Sequence, residues 1–348
     1  MKIEVLVDVK TTLGEGPLWD VEEQRLYWVD SFDGRVFRCT EDGRELRSWD
    51  VPQKIGSMCL RKNGGAVVSL QRGLHFLDLK TGEVELIHDP EPEHTQNRLN
   101  DGKVDRFGRF FVGSMDCSED QASGALYRLD PDLKIHQIDT KIVCSNGPCW
   151  SPDNQKFYFA DTWSGEISVY DFDPKTGNVS NRRSFTSFKG RDGAPDGATV
   201  DAEGYVWSAL VYGGKLLRFA PDGSVDREID VPVKKVTSVM FGGSNLDILF
   251  VTSMAKRPLP RFPGMECYVA ACSPFTISAF KVCLKPGSPG SITGRCIVVF
   301  SSSRPSEISF VASANGSGSA GEIVVVARKK WVERSRRDSL PISSLIGL

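Results

Sequence analysis

The sequence has only four histidines in 348 residues, no C-x-x-C pair and no marked excess of either charge. Each shortage removes a class of function. A formal net charge of -2 argues against nucleic acid or a membrane surface as partner, since both usually select a strong basic excess. No run of eighteen or more apolar residues occurs, so no transmembrane helix is expected. The opening MKIEVLVDVK is too short and too acidic for a signal peptide. A soluble, cytoplasmic protein is therefore expected. The nine cysteines are odd in number and fit no zinc-thiolate spacing, so reduced and mostly buried thiols are expected. Apolar residues with helical period are nearly absent as well.

Short runs of Val, Ile, Phe, Tyr and Trp are present instead, separated by Asp-Gly, Asn-Gly, Thr-Gly or Gly-Gly turns, the signal for β-hairpins. The hairpins recur in order. The segment GPLWDVEEQRLYWVDSFDGRVFRCTEDG reads as strand, turn, strand, turn, strand, and similar segments start near Ser57, Gly102, Gly147, Gly197 and Ser238. These starts lie roughly 40 to 50 residues apart, the period of four-stranded propeller blades. An all-β, six-bladed β-propeller is expected, with a β-sandwich as the alternative. The strand IEVLVDV precedes the first repeat and is expected to complete the last blade, because an open ring would expose two unpaired sheet edges.

The residue before each opening Gly carries oxygen: Glu15, Asp101 (preceded by Asn100), Asn146 and Asp196. Any one Asp-Gly or Asn-Gly is ordinarily a turn. Four at one register of a repeat converge on the central axis. Carboxylates and amide carbonyls gathered there repel unless a cation neutralises them. Oxygen donors suit a hard ion: Ca²⁺, Mg²⁺ or Mn²⁺, with Zn²⁺ also compatible. None of the histidines (His75, His88, His94, His136) occupies these positions, which argues against a histidine-ligated zinc.

LGEGPLW (13–19), NRLNDGKVDRFGRF (97–110), SNGPCWSPD (145–153), SNRRSF (180–185), PDGATVDAEGYVW (195–207) and GGKLLRFAPDG (213–223), in this order and spacing, resemble the regucalcin and gluconolactonase (senescence marker protein) family over about residues 3–262. The resemblance implies a six-bladed propeller with one divalent metal in its channel, Ca²⁺ or Zn²⁺ foremost. Its ligands would be Glu15, Asn146 and Asp196, with Arg98 and Asn100 binding substrate. It also implies an acidic substrate contact in GSMDCSEDQASG, for which Asp116 and Glu119 are both candidates. The implied activity is metal-dependent opening of a sugar-acid lactone, with a small aldonolactone as partner and the chain a monomer or weak dimer. The alternatives are a calcium-binding regulatory protein of the regucalcin type without significant catalysis, and a protein-binding scaffold. For lactone hydrolysis Asp196 is the candidate general base and Asp101 an orienting residue. Trp19, Trp28, Trp150, Trp163 and Trp207 are assigned mainly to packing between blades.

Residues 1–262 are expected to form the propeller, and 263–348 an atypical tail in which the Asp-Gly turns disappear and the last stretch, ARKKWVERSRRDS, is basic. The tail reads as foreign sequence, such as a shifted frame or alternative splicing would give. The other reading is that GEIVVVA (321–327) supplies the missing strand of an incomplete or irregular last blade.

Overall fold

The computed structural model describes residues 2–255 and 279–283. Among the described residues every regular element is a strand, and the strands form six antiparallel four-stranded sheets. β1 (Lys2–Val7) precedes the first blade, which runs outward as β2 (Gly14–Asp20), β3 (Arg25–Asp30), β4 (Arg35–Thr40) and β5 (Arg47–Asp50). The second blade is β6 (Ile55–Leu60), β7 (Ala66–Leu70), β8 (Gly73–Leu77) and β9 (Val84–His88). The third is β10 (Asn97–Val104), β11 (Phe110–Asp116), β12 (Gly124–Leu129) and β13 (Ile135–Ile142). The fourth is β14 (Ser145–Trp150), β15 (Lys156–Asp161), β16 (Glu166–Phe172) and β17 (Val179–Ser187). The fifth is β18 (Ala194–Val200), β19 (Val206–Val211), β20 (Lys215–Phe219) and β21 (Val225–Asp230). The sixth consists of β22 (Val236–Gly242), β23 (Ile248–Ser253) and β24 (Ala279–Cys283), with β1 on its outer edge.

The six innermost strands pack side by side in a closed ring, β22 against β2 included. This is the six-bladed propeller that the repeat implies. The N-terminal strand closes it as expected: Lys2–Val7 pairs with Ala279–Cys283, which also pairs with β23. The sixth blade therefore takes its third strand from beyond residue 262, the expected edge of the propeller. GEIVVVA (321–327) lies outside the described residues.

Hydrophobic burial follows the ring. Six of the seven apolar clusters among the described residues lie at the junctions between neighbouring blades, one at each. Trp19 and Trp150 explain how the repeat makes them. Trp19 on β2 stacks on Phe250 of β23 at 5.3 Å, and Trp150 on β14 meets Phe111 of β11 at 5.1 Å. Each thus locks its blade to the second strand of the preceding one. Outermost strands such as β17 (VSNRRSFTS) are largely exposed and carry charge, which discourages edge-to-edge pairing.

Candidate functional site

The ladder between the first and second strand of every blade slips at one place, and these slips set the geometry of the channel mouth. They fall between Glu15 and Leu18, Ile55 and Ser57, Leu99 and Gly102, Asn146 and Cys149, Pro195 and Ala198, and Val236 and Val239. A bulge bends the strand and re-aims its side chains. Strand pairing also separates the four oxygen-bearing positions that precede a Gly. Glu15 and Asn146 are the last paired residues before the slip, opposite Val29 and Ala160. Asp196 and Asn100 come one position later, as the first residue inside it. Asp101 is second in its bulge and its carboxylate turns to the backbone, accepting from Gly102 N at 2.8 Å and Gly147 N at 2.9 Å. The single register read from the sequence is thus two adjacent ones in space, with Asp101 an anchor between blades.

Glu15, Arg98, Asn100, Asn146 and Asp196 line one pocket of about 420 Å³, open mouth included, and each is only 4–6 % exposed. A repeated device presents Glu15 and Asn146. Asp30 accepts from Thr12 N (2.7 Å) and Leu13 N (3.1 Å), and Asp161 accepts from Val143 N (3.2 Å) and Cys144 N (3.0 Å). Each aspartate fixes the chain entering an innermost strand two residues before the pocket residue. Gly147 is required at φ 59: a Cβ there would lie 2.9 Å from the Ala198 Cβ and 3.0 Å from Asp196 O. Asn146 Nδ2 donates to Thr162 Oγ1 at 2.7 Å, which leaves Oδ1 as its acceptor, approached by Asn100 Nδ2 at 3.2 Å. Asn100 is in turn held by Arg98 Nη1, which donates to its Oδ1 at 2.6 Å.

The two acidic-loop candidates stand in different places. Glu119 lines the pocket and accepts from Trp163 Nε1 at 2.9 Å, whereas Asp116 accepts from Asp120 N and Gln121 N and braces the loop. Glu119 and Tyr212 hold left-handed backbone, φ 62 and 65, which turns both into the pocket. Sequence reading missed Thr162, Trp163, Tyr212 and Met254 as wall residues. They all follow the second strand of a blade, so that repeat position was the available signal.

Burial governs the electrostatics. Glu15 is pushed up to about 8 by desolvation and then by the Asp101 charge, partly offset by Gly16 N–H and Arg98. Asp196 is held well above the usual carboxylate range by burial and by the charges of Glu15, Asp101 and Glu119, in that order. Burial likewise raises the Cys144 thiol well above its ordinary value, so this pocket cysteine is no nucleophile. Two buried carboxylates that repel one another, beside an amide oxygen, form a donor set that fits one hard divalent cation. Among the described residues no three His, Cys, Asp or Glu side chains group as a metal site, so the amide and added oxygens would have to complete the shell.

A family model described as the SMP-30/gluconolactonase/LRE-like region matches residues 13–255. Regucalcin of Danio rerio is 32% identical over 300 residues, covering 84% of this chain and 99% of that protein. The 6-deoxy-6-sulfogluconolactonase of Pseudomonas putida is 35% identical over 252 residues, 72% of this chain and 86% of the relative. Among solved structures, a luciferin-regenerating enzyme superposes with a TM-score of 0.71 at 30% identity, covering 80% of this chain and 94% of the other. Among the described residues no helix is long and apolar enough to cross a membrane.

Proposed function

The chain belongs to the SMP-30/gluconolactonase/LRE-like family, and from that premise we propose that it hydrolyses an aldonolactone with the help of one divalent cation. Relatives carry names for more than one activity, so the family alone does not choose the reaction. The observation that carries the reading is the convergence of Glu15, Asn146 and Asp196 with Arg98 and Asn100, from four blades, on one pocket.

Glu15, Asn146 and Asp196 would hold the cation, which when bound supplies Lewis-acid polarisation of the ester carbonyl. Opening a lactone needs three further things from the protein: a grip on the sugar, a base for water and a donor for the developing oxyanion. Arg98 and Asn100 supply the grip, their hydrogen bond at 2.6 Å fixing both against the sugar hydroxyls. Glu119, steadied by Trp163, accepts from a further hydroxyl. Asp196 takes the proton of the attacking water as its oxygen bonds to the carbonyl carbon. The ring C–O bond then breaks, and Asp196 returns that proton to the leaving ring oxygen as the aldonic acid forms. The Arg98 guanidinium offsets charge on the carbonyl oxygen. Burial and the neighbouring carboxylates raise the Asp196 carboxyl well above its ordinary range, and compensating positive charge in the pocket favours the ionised form that serves as a base.

A calcium-binding regulator has no use for Arg98, a cation that competes with the ion beside Glu15. The test is a panel of aldonolactones followed by proton release after chelation and add-back of single metals. Asp196→Asn should lose at least about a hundredfold in turnover while keeping the wild-type fold. Wild-type turnover in this variant would remove the base assignment, and cation binding with no lactone opened would favour the regulatory reading.

A further inference from the structure

Glu91 is a buried carboxylate outside the pocket with no role in the steps above. It lies in the 89–96 loop between β9 and β10. Three donors converge on it from the third blade: Asn97 Nδ2 at 3.0 Å, Ser114 Oγ at 2.6 Å and Tyr127 OH at 2.9 Å. Burial, reinforced by the Glu91 charge, raises the Tyr127 phenol above its usual range, so that group remains a donor.

The partners are neighbours of the substrate-binding residues. Asn97 directly precedes Arg98, and Ser114 directly precedes Met115, which lines the pocket. Asn97 is bonded further to Ser123 twice: Nδ2 donates to Ser123 O at 3.0 Å, and Ser123 Oγ donates to Asn97 Oδ1 at 2.7 Å. Ser123 closes the loop that carries Glu119. The 89–96 loop is itself gripped from the second blade, where Arg72 donates to Pro92 O at 2.9 Å and His94 O at 3.2 Å and pairs with Asp89 at 3.0 Å. One carboxylate therefore ties a braced loop to the start of the Arg98 strand and, through Asn97, to the far end of the Glu119 loop.

We infer that Glu91 is a positioning residue for substrate binding, holding Arg98 and Glu119 at a fixed separation across the pocket through Asn97 and Ser123. It touches neither substrate nor cation. Glu15, Asn146 and Asp196 lie in other blades, so its removal acts first on the sugar side of the pocket. The inference rests on the lactonase reading only for its kinetic readout.

The experiment compares wild type, Glu91→Gln and the milder Tyr127→Phe, which leaves the carboxylate two of its three donors. In Glu91→Gln an NH₂ group faces donors where an oxygen accepted. For the full-length protein we expect about a tenfold rise in KM for the best lactone with kcat within about threefold, and a smaller shift of the same sign in Tyr127→Phe. Affinity for Ca²⁺ alone, read by calorimetry, should not change. Hydrogen exchange should speed up at 97–99 and 117–124 and stay unchanged at 14–18 and 194–198. Unchanged KM together with unchanged exchange would overturn the inference, as would an equal loss of Ca²⁺ affinity, the mark of general loosening. If wild type opens no lactone, the proposed function fails by itself, and the exchange pattern still decides the role of Glu91.

Discussion

Replacing Glu15 by Gln should make the metal-free protein more stable while destroying its function, and the size of the gain follows from burial. The carboxyl is ordinarily half-ionised near 4.5, and in the folded protein near 8. The fold therefore binds the proton more tightly than the unfolded chain, and stability falls as pH rises through that window. At 1.36 kcal/mol per unit, the penalty at pH 7 is about 3 kcal/mol, rising to about 5 kcal/mol well above pH 8 and vanishing below the ordinary value. Gln is close in shape and keeps an oxygen for Gly16 N–H, which donates to Glu15 Oε2 at 3.1 Å. It cannot ionise, so it escapes the penalty. Urea unfolding in chelator at pH 5, 6, 7 and 8 should show the variant ahead of wild type by a margin that widens with pH. Adding Ca²⁺ should reverse the order, because a ligand that binds only the folded state stabilises wild type by mass action and the variant far less. A margin that is absent at pH 8, or does not shrink towards pH 5, refutes the argument that burial and repulsion dominate at this carboxylate.

Asp101→Ala should act in the opposite direction. Its carboxylate accepts two backbone N–H groups, so its loss should cost about 2 kcal/mol after relief of repulsion on Glu15 is allowed for, with Asp101→Asn costing less. Equal urea midpoints for Asp101→Ala and wild type would show that the link between blades contributes nothing. A chain ending at residue 262 lacks β24, and with it the partner of both β1 and β23 and the buried Val282. It should melt lower and aggregate on heating, as an opened ring with two bare edges does. Melting identical to the full-length protein would show that closure by 279–283 is dispensable.

Blade number was legible in the sequence because a repeat states it locally: Asp33-Gly34, Asp42-Gly43 and Asp222-Gly223 turn the chain between successive strands whatever the rest of it does. Glu15, Asn146 and Asp196 could be nominated because each precedes a Gly in an innermost strand, and the same end of every innermost strand of a closed ring meets at its axis, however far apart they lie in sequence. Trp19 and Trp150 could be given to the core for the same reason.

Tertiary structure decided what depends on side-chain direction. In a strand, one residue of slip turns a side chain to the other face, so Asn100 faces the pocket and Asp101 a neighbouring backbone although both stand at the same Gly. Glu119, not Asp116, enters the pocket because its backbone is left-handed within an irregular loop, where no periodicity constrains it. Glu91 takes its meaning only from Asn97, Ser114 and Tyr127, which the fold brings to it. The third strand of the last blade, Ala279–Cys283, carries no repeat signal, since pairing on both sides demands only extended backbone. Local chemistry along the chain fixed the repeat and its axis. Direction, closure and bracing are relations between segments, and these exist only once the ring is formed.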